Sequence, residues 1–112
     1  MAIERAWVRF APGASPTIRG GKRISSVART TGGQAGDYTI TLTEDLVNTD
    51  GAVRVSLGGI TAIETGNRIH YYGHVATVNT IRVITLDVTT TLTDASELSV
   101  FVDTDADGSI GA

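Results

Sequence analysis

A two-residue alternation of apolar and polar side chains recurs along this chain, and no stretch sustains the 3.6-residue period of an amphipathic helix. Tyr38, Ile40 and Leu42 alternate with Thr39, Thr41 and Thr43; Val53, Val55 and Leu57 alternate with Arg54 and Ser56; Ile84, Leu86 and Val88 alternate with Thr85 and Asp87. On an extended backbone successive side chains point to opposite faces, so each run has one face for a core and one for water. The 17 Thr and 11 Val add the β-branched character that favours strands. Turn chemistry falls between the runs, at Pro12-Gly13, Gly20-Gly21, Gly32-Gly33, Asp50-Gly51, Gly58-Gly59, Gly66-Asn67, Asn79-Thr80 and Asp94-Ala95. Eight strands are expected, near residues 3–10, 16–19, 23–30, 37–43, 52–57, 68–76, 81–88 and 97–103. The pattern predicts an all-β chain whose short antiparallel strands form a jelly-roll-like two-sheet sandwich over residues 1–103, followed by an acidic, Gly-containing tail at 104–112.

At 112 residues this is one domain with a modest core, which makes help from neighbouring subunits plausible. The absence of Cys excludes disulfides and Cys-ligated metal centres. No apolar run approaches the roughly 18 residues of a membrane span, and the first residues lack the order of a secretion signal. Synthesis in the cytoplasm without membrane association is expected. The net charge of −3 is unevenly spread: residues 1–36 hold six basic side chains and one acidic, residues 37–112 three basic and eleven acidic. Two explanations stay open: a compact fold whose ends meet, or a contact between the basic segment of one subunit and the acidic segment of another. Nucleic acid is not an expected partner, because the basic residues are interleaved with only Trp7 and Phe10 and the whole chain is acidic.

Two strands are apolar on both faces. In the first, Ala6, Val8 and Phe10 oppose Trp7; in the last, Leu98, Val100 and Val102 oppose Phe101. A loop of the same subunit or a neighbouring subunit must cover the odd aromatics, and Trp7, Phe10 and Phe101 are the candidate oligomer interface. A cyclic homotrimer suits the arithmetic, since two contacts of about 800 Å² each would cover roughly a quarter of such a monomer's surface.

Signals for catalysis are weak. His70 and His74 are the only histidines, and no nucleophile elbow, phosphate-binding glycine loop or His-Glu-x-x-His pair is present. On a strand His70, Tyr72 and His74 share a face, but the two imidazoles then stand about 13 Å apart, too far to hold one ion. The segment from Asp103 to Ile110 reproduces the Asp-x-Asp-x-Asp-Gly-x-Ile opening of a calcium loop, making Asp103, Asp105 and Asp107 candidate calcium ligands. The Glu that normally closes such a loop does not follow, and a solvated acidic tail or docking arm is the competing explanation. No other cofactor is expected.

Read as a block, Ala6-Trp7-Val8-Arg9-Phe10, Thr17-Ile18-Arg19, Ile24-Ser25-Ser26-Val27 and Gly36-Asp37-Tyr38-Thr39-Ile40-Thr41-Leu42 resembles a pattern of tailed-bacteriophage virion structural proteins, common at the tips of tail fibres. Ser99-Val100-Phe101-Val102 looks like that family's closing strand, while Leu46 to Val53 lacks its usual proline and tyrosine. The resemblance implies a compact trimeric β-module of the C1q and tumour-necrosis-factor type. With no fibre shaft in the sequence, the expected function is a non-enzymatic capsid decoration or cement protein on the exterior of the virion, with itself and the major capsid protein or other virion proteins as partners. The alternative is a fibre-tip or receptor-binding protein that contacts host carbohydrate through Tyr71, Tyr72 and the loop around Asn67. Arg5, Arg19 and Arg23 are the candidate reaching residues for partner contacts.

Overall fold

The computed structural model describes residues 2–30, 32–57, 70–87, 89, 91–95 and 97–104. Eight strands follow one another: β1 (Arg5–Ala11), β2 (Thr17–Lys22), β3 (Ile24–Arg29), β4 (Asp37–Leu42), β5 (Ala52–Leu57), β6 (His70–Thr77), β7 (Thr80–Leu86) and β8 (Leu98–Asp103). Each lies within a few residues of its expected place. They form two four-stranded sheets, ordered β2-β1-β8-β5 and β3-β4-β7-β6, in which every pairing is antiparallel.

Alternation decides what is buried. In β1, Ala6, Val8 and Phe10 point inward while Arg5, Trp7 and Arg9 point out; β7 and β8 repeat the pattern with Ile81 and Val83, and with Leu98, Val100 and Val102. The side chains of β1 and β8 meet Tyr38, Ile40, Leu42, Ile81 and Val83 of the second sheet in one continuous core; β7 turns Ile81, Val83 and Thr85 inward, not Ile84 and Leu86 as their alternation with Thr85 and Asp87 predicts. Burying each large apolar side chain is worth about 1.5–3 kcal/mol, so the inner faces supply most of the drive to fold. Ile3 and Leu46 extend that core beyond the sheets through a short parallel bridge.

Pairing of β1 with β8 brings the two ends of the chain together, with Arg5 opposite Asp103 and Phe10 opposite Leu98. The uneven charge distribution thereby finds partners within one subunit. Arg5 lies 3.3 Å from Asp103, Arg9 and Arg19 lie 2.6 and 3.4 Å from one oxygen of Glu97, and Arg29 lies 2.8 Å from Asp94. Thr104, the first residue of the expected tail, is part of the packed structure. Thr104 is buried, and both its backbone N–H and its hydroxyl donate to the carbonyl of Glu4.

Candidate functional site

The stretch Gly36-Asp37-Tyr38 opens β4, and each of its residues has a structural task. Gly36 has φ +75°, and a Cβ placed there would come within 2.6 Å of the Thr85 carbonyl and of the Thr93 backbone nitrogen, so no other residue fits. Its N–H donates to Asp94 Oδ1 at 2.7 Å. Tyr38 is fully buried and packs edge-on against Phe10, with ring centroids 5.5 Å apart. Its hydroxyl donates to Asp94 Oδ1 at 2.6 Å and accepts from the Gly13 N–H at 2.7 Å. Burial, with the hydrogen bond to Asp94 acting in the same direction, pushes the phenol above its ordinary range. Arg29 closes the cluster by donating to Asp94 Oδ2.

Asp37 faces the other way and takes two hydrogen bonds from the Arg82 guanidinium, at 3.0 and 2.7 Å. Those bonds hold its carboxyl below the usual carboxylate range, and burial works against them. Among the described residues no buried side-chain nitrogen or oxygen lacks a partner. A cluster in which every group is occupied by its neighbours has nothing left to offer a ligand, and its work is to lock the loops at 13, 33 and 94 onto β4.

The outer face of the sheet β2-β1-β8-β5 is different. Cross-strand register places Lys22, Trp7, Phe101 and Arg54 in one row across all four strands. The Trp7 and Phe101 rings stack with centroids 6.1 Å apart and planes 20° from parallel, and the Arg54 guanidinium lies 5.1 Å above Phe101. Trp7 leans over Gly20 of β2, where a Cβ would meet its ring at 3.3 Å, so this edge strand gives the indole room to lie across the sheet. The indole is nonetheless 37% exposed, and Phe101 is half-buried. Neither ring is enclosed by the described part of its own chain. A depression of about 150 Å³ runs along the row, and a second of about 360 Å³ adjoins it, sharing Arg5 and Lys22 and adding Arg23.

The expected site residues are thus separated. Trp7 and Phe101 come together on the outer face, but Phe10 does not join them: it is 0% exposed and faces Tyr38 on the inner side of β1, which removes it from any interface. Arg5 and Arg19 are exposed but engaged with carboxylates of their own chain, and Arg23 is exposed at the turn between β2 and β3 with φ 65°. Tyr71 and Tyr72 are exposed on the edge strand β6, 41% and 52%, and alternation puts them on opposite faces. Asp103 ends β8 and pairs with Arg5, while Asp105, Asp107 and Asn67 lie outside the described residues. Among the described residues no three His, Cys, Asp or Glu side chains are placed to hold a metal ion.

Lys22 and Arg54 were not singled out as site residues by sequence. Only the register between strands 15 to 47 positions apart sets them beside the aromatic pair, and local spacing carries no trace of it. Neither a family model, a curated protein nor a solved structure matches the chain.

Proposed function

We propose that this chain is a non-enzymatic structural protein of a bacteriophage virion, acting as a trimeric capsid decoration protein whose outer sheet face, centred on Trp7 and Phe101, makes the contact with its own copies and with the lattice. The observation that carries it is the exposed aromatic pair set in a row with two cations and left open by the described part of its own subunit, the composition and setting of a protein–protein contact. The resemblance of the strand pattern to phage virion proteins supplies the context. A trimer on a threefold lattice site presents three copies of one weak contact, so the second and third engagements are intramolecular and gain avidity without new chemistry.

The test is the location and copy number of the chain in purified particles, with the mass of the free protein by light scattering. Hundreds of copies on the head, lost heads on heating when the protein is stripped, and a trimeric mass are expected. Trp7→Ala should weaken self-association at least about 30-fold, as loss of a buried aromatic anchor does. A monodisperse monomer at micromolar concentration overturns the trimer. Tens of copies at a fibre tip together with binding to host cells would favour the second reading, for which the exposure of Tyr71 and Tyr72 on an open sheet edge speaks.

A further inference from the structure

Ion pairing within the chain leaves charge of opposite sign on two separate surfaces. Arg5, Arg9, Arg19, Arg29 and Arg82 each lie within 3.4 Å of a carboxylate, whereas Lys22, Arg23 and Arg54 make no ion pair among the described residues. Lys22 and Arg54 stand exposed at the two ends of the Trp7–Phe101 row; Arg23 lines the adjoining depression with Glu4, whose exposed carboxylate offsets one of these cations. This side of the molecule keeps a positive surplus. Among the other described carboxylates outside the ion pairs, Asp87 accepts hydrogen bonds from Thr89 and Thr91, while Glu44, Asp45 and Asp50 stand exposed on the crossing from β4 to β5. Residues 43–53 hold no Lys or Arg. The crossing is braced. The Ile3 N–H donates to the Asp45 carbonyl at 2.8 Å, the Val47 N–H to the Ile3 carbonyl at 3.0 Å and the Leu46 N–H to the Val78 carbonyl, and Leu46 is buried. Its carboxylates are thus presented on an ordered backbone, which lowers the entropy that binding costs.

We infer that this acidic crossing of one copy docks on the Lys22–Trp7–Phe101–Arg54 row of the next copy, with Glu44, Asp45 and Asp50 toward Lys22 and Arg54. The inference rests on the self-association in the proposed function and names the surface that meets the row. Charge decides between the occupants. Two rows packed face to face would set cations against cations around a two-fold axis, and like charges juxtaposed across an interface are strongly unfavourable. The exposed tyrosines of β6 supply aromatic area but no compensation, because His70–Thr77 holds no carboxylate. The crossing brings carboxylates without competing cations. A contact between two different patches is heterologous, the kind from which a cyclic trimer is built and which no isologous dimer uses. Each copy carries both halves of it, the row and the crossing, so the same contact repeats around the ring.

The experiment measures self-association of the full-length chain by sedimentation equilibrium at low salt. Glu44→Lys/Asp45→Lys and Lys22→Glu/Arg54→Glu should each weaken it about 100-fold, and the milder Glu44→Gln/Asp45→Asn about tenfold. All four reversals combined in one chain should restore association to within about tenfold of the parent, which a merely unfolded variant could not do. Raising the salt from about 10 mM to 1 M, which shortens the screening length from about 30 Å to about 3 Å, should weaken the parent and the fourfold variant alike. Association of either crossing variant equal to the parent's, with Trp7→Ala still disruptive, overturns the inference and leaves the outer face as the contact. A fourfold variant that is folded by circular dichroism yet monomeric overturns it too. A parent that is monomeric at micromolar concentration overturns both this inference and the trimer.

Discussion

Two clusters in this molecule combine aromatic rings with arginines and carboxylates, and they behave in opposite ways. Around Tyr38 the hydroxyl, the Asp94 carboxylate, the Arg29 guanidinium and the Gly13 and Gly36 N–H groups satisfy one another inside the fold. Around Trp7 the rings lie on the outside of a sheet, with cations along the same row and part of the aromatic surface open to water. The same residue types stabilise in the first setting and remain available for recognition in the second. The difference lies in which side of a four-stranded sheet they occupy, because a group buried among apolar neighbours must find its partners within the chain, whereas one facing outward need not.

That contrast predicts unequal responses to mutation. Gly36→Val should have the largest effect, since it combines a left-handed backbone with a Cβ placed 2.6 Å from backbone atoms; a loss of about 4 kcal/mol in urea unfolding is expected. Asp94→Ala removes the acceptor shared by Tyr38, Gly36 and Arg29 and should cost about 2–3 kcal/mol, moderated by the partial exposure of the Arg29 pair. Trp7→Ala on the open face should change monomer stability by no more than about 1 kcal/mol while weakening the proposed self-association at least about 30-fold, and Arg5→Ala, in an exposed ion pair, by no more than about 0.5 kcal/mol. A Trp7→Ala variant as unstable as Asp94→Ala would erase the distinction between the two clusters.

Protons probe the closed cluster further. The folded-state pKa of Asp37 lies below its unfolded value, chiefly through its hydrogen bonds from Arg82, so its contribution is present above the unfolded carboxylate value, about 4, and is lost as pH falls through the lower folded value. The stability difference between parent and Asp37→Asn, followed by urea titration, should therefore shrink below about pH 4. Tyr38 has the opposite sign. Burial raises its folded pKa, so its contribution is complete below about pH 10 and disappears as pH rises through the folded value, a loss that Tyr38→Phe should not show.

Much of the architecture was legible in advance because it is written locally. Val8 and Val100 point inward and Trp7 and Phe101 outward by parity alone, and a period of two along Tyr38, Ile40 and Leu42 needs no knowledge of their partners. Parity says which residues share a face, but not what that face meets. Phe10 was expected at an interface even though it shares its face with Ala6 and Val8, and the fold encloses it against Tyr38. Arg5 and Arg19 had the composition of reaching residues, yet the return of β8 beside β1 supplies both with carboxylates at home.

By itself the order of residues determined eight strands, the facing of most of them and an all-β sandwich, since alternation and turn chemistry act over a few neighbouring positions; in β7 it put Ile84 and Leu86 on the core face, whereas Ile81, Val83 and Thr85 are the buried residues. Only the tertiary structure decided that the two ends pair, that Asp94 joins Tyr38 across 56 positions, and that Lys22 and Arg54 flank the aromatic pair. Those contacts depend on the register between strands distant in the chain, which packing of the whole core selects and no local period encodes.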